Sequence, residues 1–157
     1  MVEELVKKLK RKKETVSTME SCSGGALANA ITNISGSSDV FKFAIITYAN
    51  DFITKYGVDK KVVEKYSVYS IETAKQMAYQ STFFSESTYG IGVTGKFFDL
   101  DDTEENQEKS YVYISIYNTK NNLYTNIKMK SPLRRRVKCK EYVIEKTIEK
   151  LIEIIDR

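Results

Sequence analysis

Val2, Leu5, Val6 and Leu9 recur at helical spacing with lysines between them, which predicts an amphipathic helix over residues 2–12. The next segment, 15–19, is rich in β-branched side chains and reads as a strand. Glu20-Ser21-Cys22-Ser23-Gly24-Gly25 interrupts the apolar pattern, and Ala26, Leu27, Ala30 and Ile31 resume it at helical spacing. Ser21 to Gly25 is therefore a strand-to-helix turn, with its helix over 24–33. Phe41, Phe43, Ile45 and Thr47 alternate with Val40, Ala44 and Ile46, a strand apolar on both sides, as expected of a central strand covered by helices. Asp59 is placed to cap a helix over 60–66, and Ser70, with Glu72 in the first turn, another from 71 to about 82. Tyr89 to Val93 reads as a short buried strand whose glycines imply close backbone approach. Lys96 to Glu108, with Asp99, Asp101, Asp102, Glu104 and Glu105, has no hydrophobic period and reads as a mobile loop. Its spacing matches no dedicated calcium loop.

Residues 110–118 and 123–130 alternate tyrosine and isoleucine with polar groups around Lys120-Asn121-Asn122, the pattern of a hairpin. Tyr111, Tyr113 and Tyr117 share one strand face, which suits packing on a helix better than stacking on nucleic-acid bases. After Pro132, the apolar positions from Val137 to Ile155 predict a long closing helix. The order of elements implies one domain over residues 1–157, a three-layer α/β/α sandwich on a mixed, mostly parallel sheet. Sites in such sheets gather beyond the carboxyl ends of strands, here after residues 19, 47 and 93.

Composition narrows the chemistry. The 157-residue chain has no histidine, which excludes Ser-His-Asp and Cys-His machinery and every His-ligated zinc site. Its two cysteines, Cys22 and Cys139, are too few for a four-thiolate site or a disulfide framework, which points to reduced thiols in a cytoplasmic protein. The formal charge of +4 is spread along the chain, so nucleic-acid binding is disfavoured. There is no apolar run of membrane-spanning length and no signal-peptide pattern. A hydrolase built on this chain must activate its nucleophile with lysine, tyrosine, a carboxylate or an oxygen-ligated metal.

The turn at Ser21 to Gly25 invites a ligand. The first turn of a helix has unpaired N–H groups and a positive dipole end, and paired glycines let a phosphate or carboxylate approach them. Ser-Gly-Gly also occurs in ordinary helix starts, so both readings stand.

Glu20-Ser21-Cys22-Ser23-Gly24-Gly25, then Gly36-Ser37-Ser38, then Thr47-Tyr48-Ala49-Asn50 and Gly57-Val58, together resemble the CinA C-terminal-domain family, the nicotinamide-nucleotide amidases. Val68-Tyr69-Ser70, Gly92-Val93-Thr94-Gly95 and Arg134 with Val137 and Lys138 extend the resemblance over nearly the whole chain after residue 14. It implies hydrolysis of the carboxamide of nicotinamide mononucleotide to the acid with release of ammonia, without metal or cofactor. It further implies Ser38 as nucleophile, Tyr48 as a second catalytic group and a lysine base after the Tyr-x-Asn motif. Ser21, Ser23, Gly24, Gly25, Thr94 and Arg134 match positions that hold the nucleotide. A homo-oligomer is compatible with the resemblance.

The chain departs from the family where the base should stand. Five residues after Tyr48 is Ile53, and counting back from Gly57-Val58 gives Phe52. Lys42 and Lys55 are the nearby substitutes: Lys42 if the turn at Ser38 is helical, Lys55 if the local path differs. The family's Gly- and Pro-rich loop after Thr94-Gly95 is replaced by the acidic stretch. Two functions follow: an amidohydrolase with a relocated lysine, or a family member without catalysis that serves as a nucleotide-binding or protein-interaction module. In the second, Ser38 is a structural serine and Tyr48 a core tyrosine.

Overall fold

In a computed structural model, all residues except Leu100, Asp102, Leu133 and Arg134 are described. The elements run α1 (Val2–Lys12), β1 (Val16–Glu20), α2 (Ala26–Thr32), β2 (Phe41–Ile46), α3 (Asn50–Lys55), α4 (Lys60–Tyr66), α5 (Ile71–Ser85), β3 (Tyr89–Gly95), α6 (Glu104–Glu108), β4 (Tyr111–Asn118), β5 (Leu123–Lys130) and α7 (Arg136–Asp156). The strands form one sheet in the order β2-β1-β3-β4-β5. β1 pairs in parallel with β2 and β3, while β3–β4 and β4–β5 are antiparallel. Four strands thus point one way and β4 the other, the mixed α/β/α sandwich that the order of elements implied.

Alternation along the strands sorts two apolar layers. Leu5 and Leu9 of α1, Leu27 and Ile31 of α2 and Val143, Ile148 and Leu151 of α7 pack with Val16, Ile91, Val93, Ile114 and Ile116 on one face. Met19, Ile53, Val58, Val68 and Met77 form a smaller cluster with α3 and α5 on the other. Each such aliphatic side chain, fully buried, stabilises the fold by about 1.5–3 kcal/mol. The helix α5 lies directly on β3: a Cβ at Gly92 would stand 2.1 Å from the carbonyl oxygen of Ala74. The glycines of β3 therefore set the distance between helix and sheet. Two expected caps are formed, the Asp59 carboxylate accepting from Lys61 N–H and the Ser70 hydroxyl from Thr73 N–H.

Three expectations from the sequence need correcting. β2 is an edge strand rather than a central one: its odd positions are half-buried and Lys42, Ala44 and Ile46 are exposed. Apolarity on both sides there reflects partial cover, not two helical layers. The acidic segment is not wholly loop, because Thr103 accepts from Asn106 N–H to start α6, and Glu105 pairs with Lys109 at 2.7 Å. Buried Phe97 and Phe98 anchor its beginning. Of the three tyrosines expected on a helix, Tyr117 meets Tyr79 of α5 at 5.7 Å between ring centroids, whereas Tyr111 and Tyr113 lie under the Lys128 ammonium of β5.

Candidate functional site

The carboxyl ends of β1 and β3 open into a cleft of about 160 Å³, lined by Ser21, Cys22, Tyr48, Asn50, Tyr69, Gly95, Lys96, Phe97, Asp99 and Arg136. The chain crosses here three times, after β1, after β2 and after β3, as expected where parallel strands end under helix starts. Arg136, the first residue of α7, spans the mouth. Its Nη2 donates to the Tyr48 hydroxyl at 3.3 Å, its Nη1 lies 3.8 Å from Asp99 Oδ2, and its guanidinium sits 5.4 Å from the centroid of the Phe97 ring. Tyr48 is 59 % exposed and Tyr69 is 42 % exposed. Two phenol rings and a guanidinium thus border a cleft with Ser21 at its buried end.

The strand-to-helix turn is built differently from the anion cradle that its sequence suggested. Glu20, fully buried, turns its carboxylate back onto the start of α2. Oε2 accepts from the Ser23 hydroxyl at 2.7 Å and from Leu27 N–H at 3.2 Å. Oε1 accepts from Ala28 N–H at 2.9 Å and from the Thr18 hydroxyl at 3.2 Å. The negative charge that favours a helix N-terminus is supplied by the chain itself. Ser23 is consequently a partner of Glu20 and absent from the cleft lining. Gly24 and Gly25 take φ values of +60° and +86°, which turn the chain into α2 between Lys140 and Ile46. Neither glycine lines the cleft.

The other sequence-predicted residues divide sharply. Ser21 and Tyr48 come together in the cleft. Ser38 does not join them: it is exposed in a 3₁₀ turn, Ser37–Asp39, that precedes β2, while Tyr48 follows the strand. Six extended residues separate the two ends by about 20 Å. Lys42 is exposed on β2. Lys55 pairs with Asp51 at 3.0 Å and stands 4.5 Å from the Phe52 ring centroid, outside the cleft. Neither lysine lines the cleft that holds Ser21 and Tyr48. Ile53, where the family pattern calls for lysine, is fully buried among Met19, Val58, Val68 and Met77. Thr94 is fully buried and its hydroxyl donates to the Val68 carbonyl at 2.8 Å, tying the Tyr69 segment to β3 rather than facing a ligand. Arg134 lies outside the described residues.

The sequence by itself assigned no site role to Arg136, Lys96, Tyr69, Asn50 or Asp99. Arg136 follows Arg134 and Arg135 in the sequence, and its position as the first helical residue of α7 selects it. Cys22 also borders the cleft, and burial pushes its thiol up to about 12, which keeps it protonated near neutral pH. Among the described residues no group of three or more acidic or thiol side chains is placed to hold a metal, and no helix is long and apolar enough to cross a membrane.

Comparison with known proteins agrees with this architecture. A CinA-like protein of Flavobacterium psychrophilum is 32 % identical over 152 residues, covering 96 % of this chain and 34 % of that protein. A CinA-like protein of Prochlorococcus marinus is 31 % identical over 148 residues, covering 94 % of this chain and again 34 % of the relative. The chain therefore spans about a third of the length of these curated relatives. The crystal structure of the competence/damage inducible protein CihA from Agrobacterium tumefaciens superposes with a TM-score of 0.86 at 27 % identity, covering 99 % of this chain and 96 % of that one. A competence or damage-inducible protein from Enterobacter asburiae shares the fold with a TM-score of 0.87 at 17 % identity, covering 99 % of this chain and 98 % of its own. The family model for the CinA C-terminal domain matches residues 1–155, and the chain belongs to that family.

Proposed function

We propose that the chain binds a pyridine mononucleotide, nicotinamide mononucleotide in the first instance, in the cleft beyond β1 and β3. The observation that carries this reading is the convergence of Arg136, Lys96, Tyr48 and Tyr69 around the buried Ser21. Guanidinium and ammonium groups suit a phosphate, and exposed phenol rings suit a flat, electron-poor heteroaromatic. The cleft, at about 160 Å³, is below the range of pockets that enclose a whole small ligand. One end of the nucleotide enters and the remainder rests on the open rim beside Tyr48.

Hydrolysis of the carboxamide is a second reading, favoured by family membership and by the serine in the cleft. On a single chain it falls to Ser21, because Ser38 is at the other end of β2. The Ser21 hydroxyl would attack the carboxamide carbon and give up its proton. Ammonia would leave carrying that proton, and water would then release the acid. Lys96 lines the same cleft and would take the role of base in place of Lys42 and Lys55.

Titration of nicotinamide mononucleotide by calorimetry, paired with measurement of ammonia, separates the readings. Binding is expected in wild type and in Ser38→Ala, with no saturable binding at millimolar ligand overturning the proposal. Ammonia release that is lost in Ser21→Ala and kept in Ser38→Ala supports hydrolysis in this cleft. Binding without ammonia leaves the chain a nucleotide-binding module.

A further inference from the structure

A second, larger cavity of about 300 Å³ opens beyond the amino ends of β1 and β3, away from the first cleft. Its walls are Lys12 at the end of α1, Asn118 at the end of β4, Lys120 and Asn121 of the β4–β5 turn, Leu123 and Thr125 of β5, and Ile154, Ile155 and Arg157. The polar lining is strongly one-sided. Asn118 Oδ1 accepts from Lys120 N–H at 3.0 Å, and Asn121 Oδ1 accepts from Leu123 N–H at 3.1 Å. With both carboxamide oxygens committed to the turn, each amide offers its NH₂ end. Lys12, Lys120 and Arg157 add three cationic side chains, and no side-chain carboxylate stands among the lining residues.

The neighbouring anions are accounted for. The Glu14 carboxylate holds the Lys120 ammonium and accepts from the Tyr89 hydroxyl at 2.9 Å, so Lys120 is fixed in place and its pKa is raised. Asp156 is paired with Lys8 at 2.7 Å. Lys12 donates to the Ile155 carbonyl, which fixes it at the cavity wall with two more hydrogens to give. Leu123, Ile154 and Ile155 supply an apolar side opposite these donors.

We propose that this cavity is a second binding site, for a small molecule that carries a phosphate or carboxylate and an apolar portion. The Lys12 and Arg157 cations, the ion-paired Lys120 ammonium and two oriented amides select an anionic head, and the aliphatic wall selects what is attached to it. The site is independent of the first cleft: the two share no residue.

The test uses the full chain with inorganic phosphate, phenyl phosphate and benzoate as probes. Nuclear magnetic resonance is read at the side-chain amides of Asn118 and Asn121, and affinity by calorimetry. Saturable shifts of those two amides are expected, with phenyl phosphate bound more tightly than inorganic phosphate. Benzoate binding above phenyl phosphate marks a carboxylate site, and the reverse a phosphate site. Arg157→Gln and Lys12→Gln should each weaken the better probe roughly tenfold, the effect of removing one charged hydrogen bond. Arg157→Gln carries the test if Lys12→Gln perturbs the fold, since Arg157 is exposed. Absence of saturable shifts at both amides with all three probes overturns the proposal, as does wild-type affinity in Arg157→Gln. Shifts that vanish in Arg136→Gln would assign the probes to the first cleft and overturn it equally.

Discussion

Arg136 donates to the Tyr48 hydroxyl at 3.3 Å, joining the first turn of α7 to the segment that follows β2, 88 residues earlier in the chain. This contact closes one side of the cleft over Ser21 and holds the guanidinium within reach of Asp99. It couples the two elements that the nucleotide reading needs most.

Arg136→Gln removes the charge while keeping a donor. Its side chain is 42 % exposed, so stability should change by less than about 0.5 kcal/mol. Affinity for nicotinamide mononucleotide should fall roughly tenfold, the effect of losing one charge-assisted phosphate contact, and should lose part of its salt dependence. Calorimetry at two ionic strengths checks this, and unchanged affinity would remove Arg136 from the site.

Glu20→Ala strips a fully buried acceptor from two hydroxyls and two backbone N–H groups. Leaving several buried donors unpaired should destabilise the protein by about 2–4 kcal/mol. For a domain of this size each kcal/mol lowers the melting midpoint by roughly 2–4 °C. Urea and thermal unfolding measure it, and a loss below about 1 kcal/mol would mean that the α2 start is held by something other than this carboxylate.

Gly92→Ala places a methyl group 2.1 Å from the Ala74 carbonyl oxygen, a backbone atom that cannot swing aside. Separation of α5 from β3 should cost at least about 2 kcal/mol in chemical denaturation. Gly24→Ala, by comparison, meets only the flexible end of Lys140, at 3.1 Å, and its cost is that of a positive φ, about 1 kcal/mol. Equal losses in the two variants would contradict this account of helix–sheet spacing.

The buried Cys22 thiol, raised to about 12 by desolvation, binds its proton more tightly folded than unfolded. In the unfolded chain the thiol ionises near the ordinary value of 9.0, so the folded state holds more protons between these values. Its contribution to stability is whole below about pH 9 and is lost as pH rises toward 12. Denaturant midpoints of wild type and Cys22→Ser across that range should diverge least at high pH, and alkylation of folded protein at pH 8 should be slow. Rapid labelling of Cys22 under native conditions would refute the burial argument.

Helical and strand periods made most of the fold legible. Leu5 and Leu9, the glycines of β3, the caps at Asp59 and Ser70 and the hairpin around Asn121 each act within a few residues, where local physics decides the outcome. β2 was misread because an apolar strand at a half-covered edge and one in the middle of a sheet carry similar residues; only pairing tells them apart. The site was less legible still. Ser21 and Tyr48 could be named from their motifs, but Arg136 and Lys96 reach the cleft from segments far away in sequence.

By itself the sequence determined the α/β/α class, the absence of histidine chemistry, the strand-to-helix turn at Ser21 to Gly25 and the lack of a lysine five residues after Tyr48. The tertiary structure alone decided which of these residues meet. It seated Glu20 on the helix start that otherwise favours a foreign anion, buried Ile53 in the core and left Ser38 and Tyr48 at opposite ends of β2. It also gathered Lys12, Lys120 and Arg157 around one cavity. The physical reason is that side-chain direction and element type follow from nearest neighbours along the chain, whereas charge convergence depends on how β1, β3 and α7 are ordered and packed, which is a property of the whole sheet.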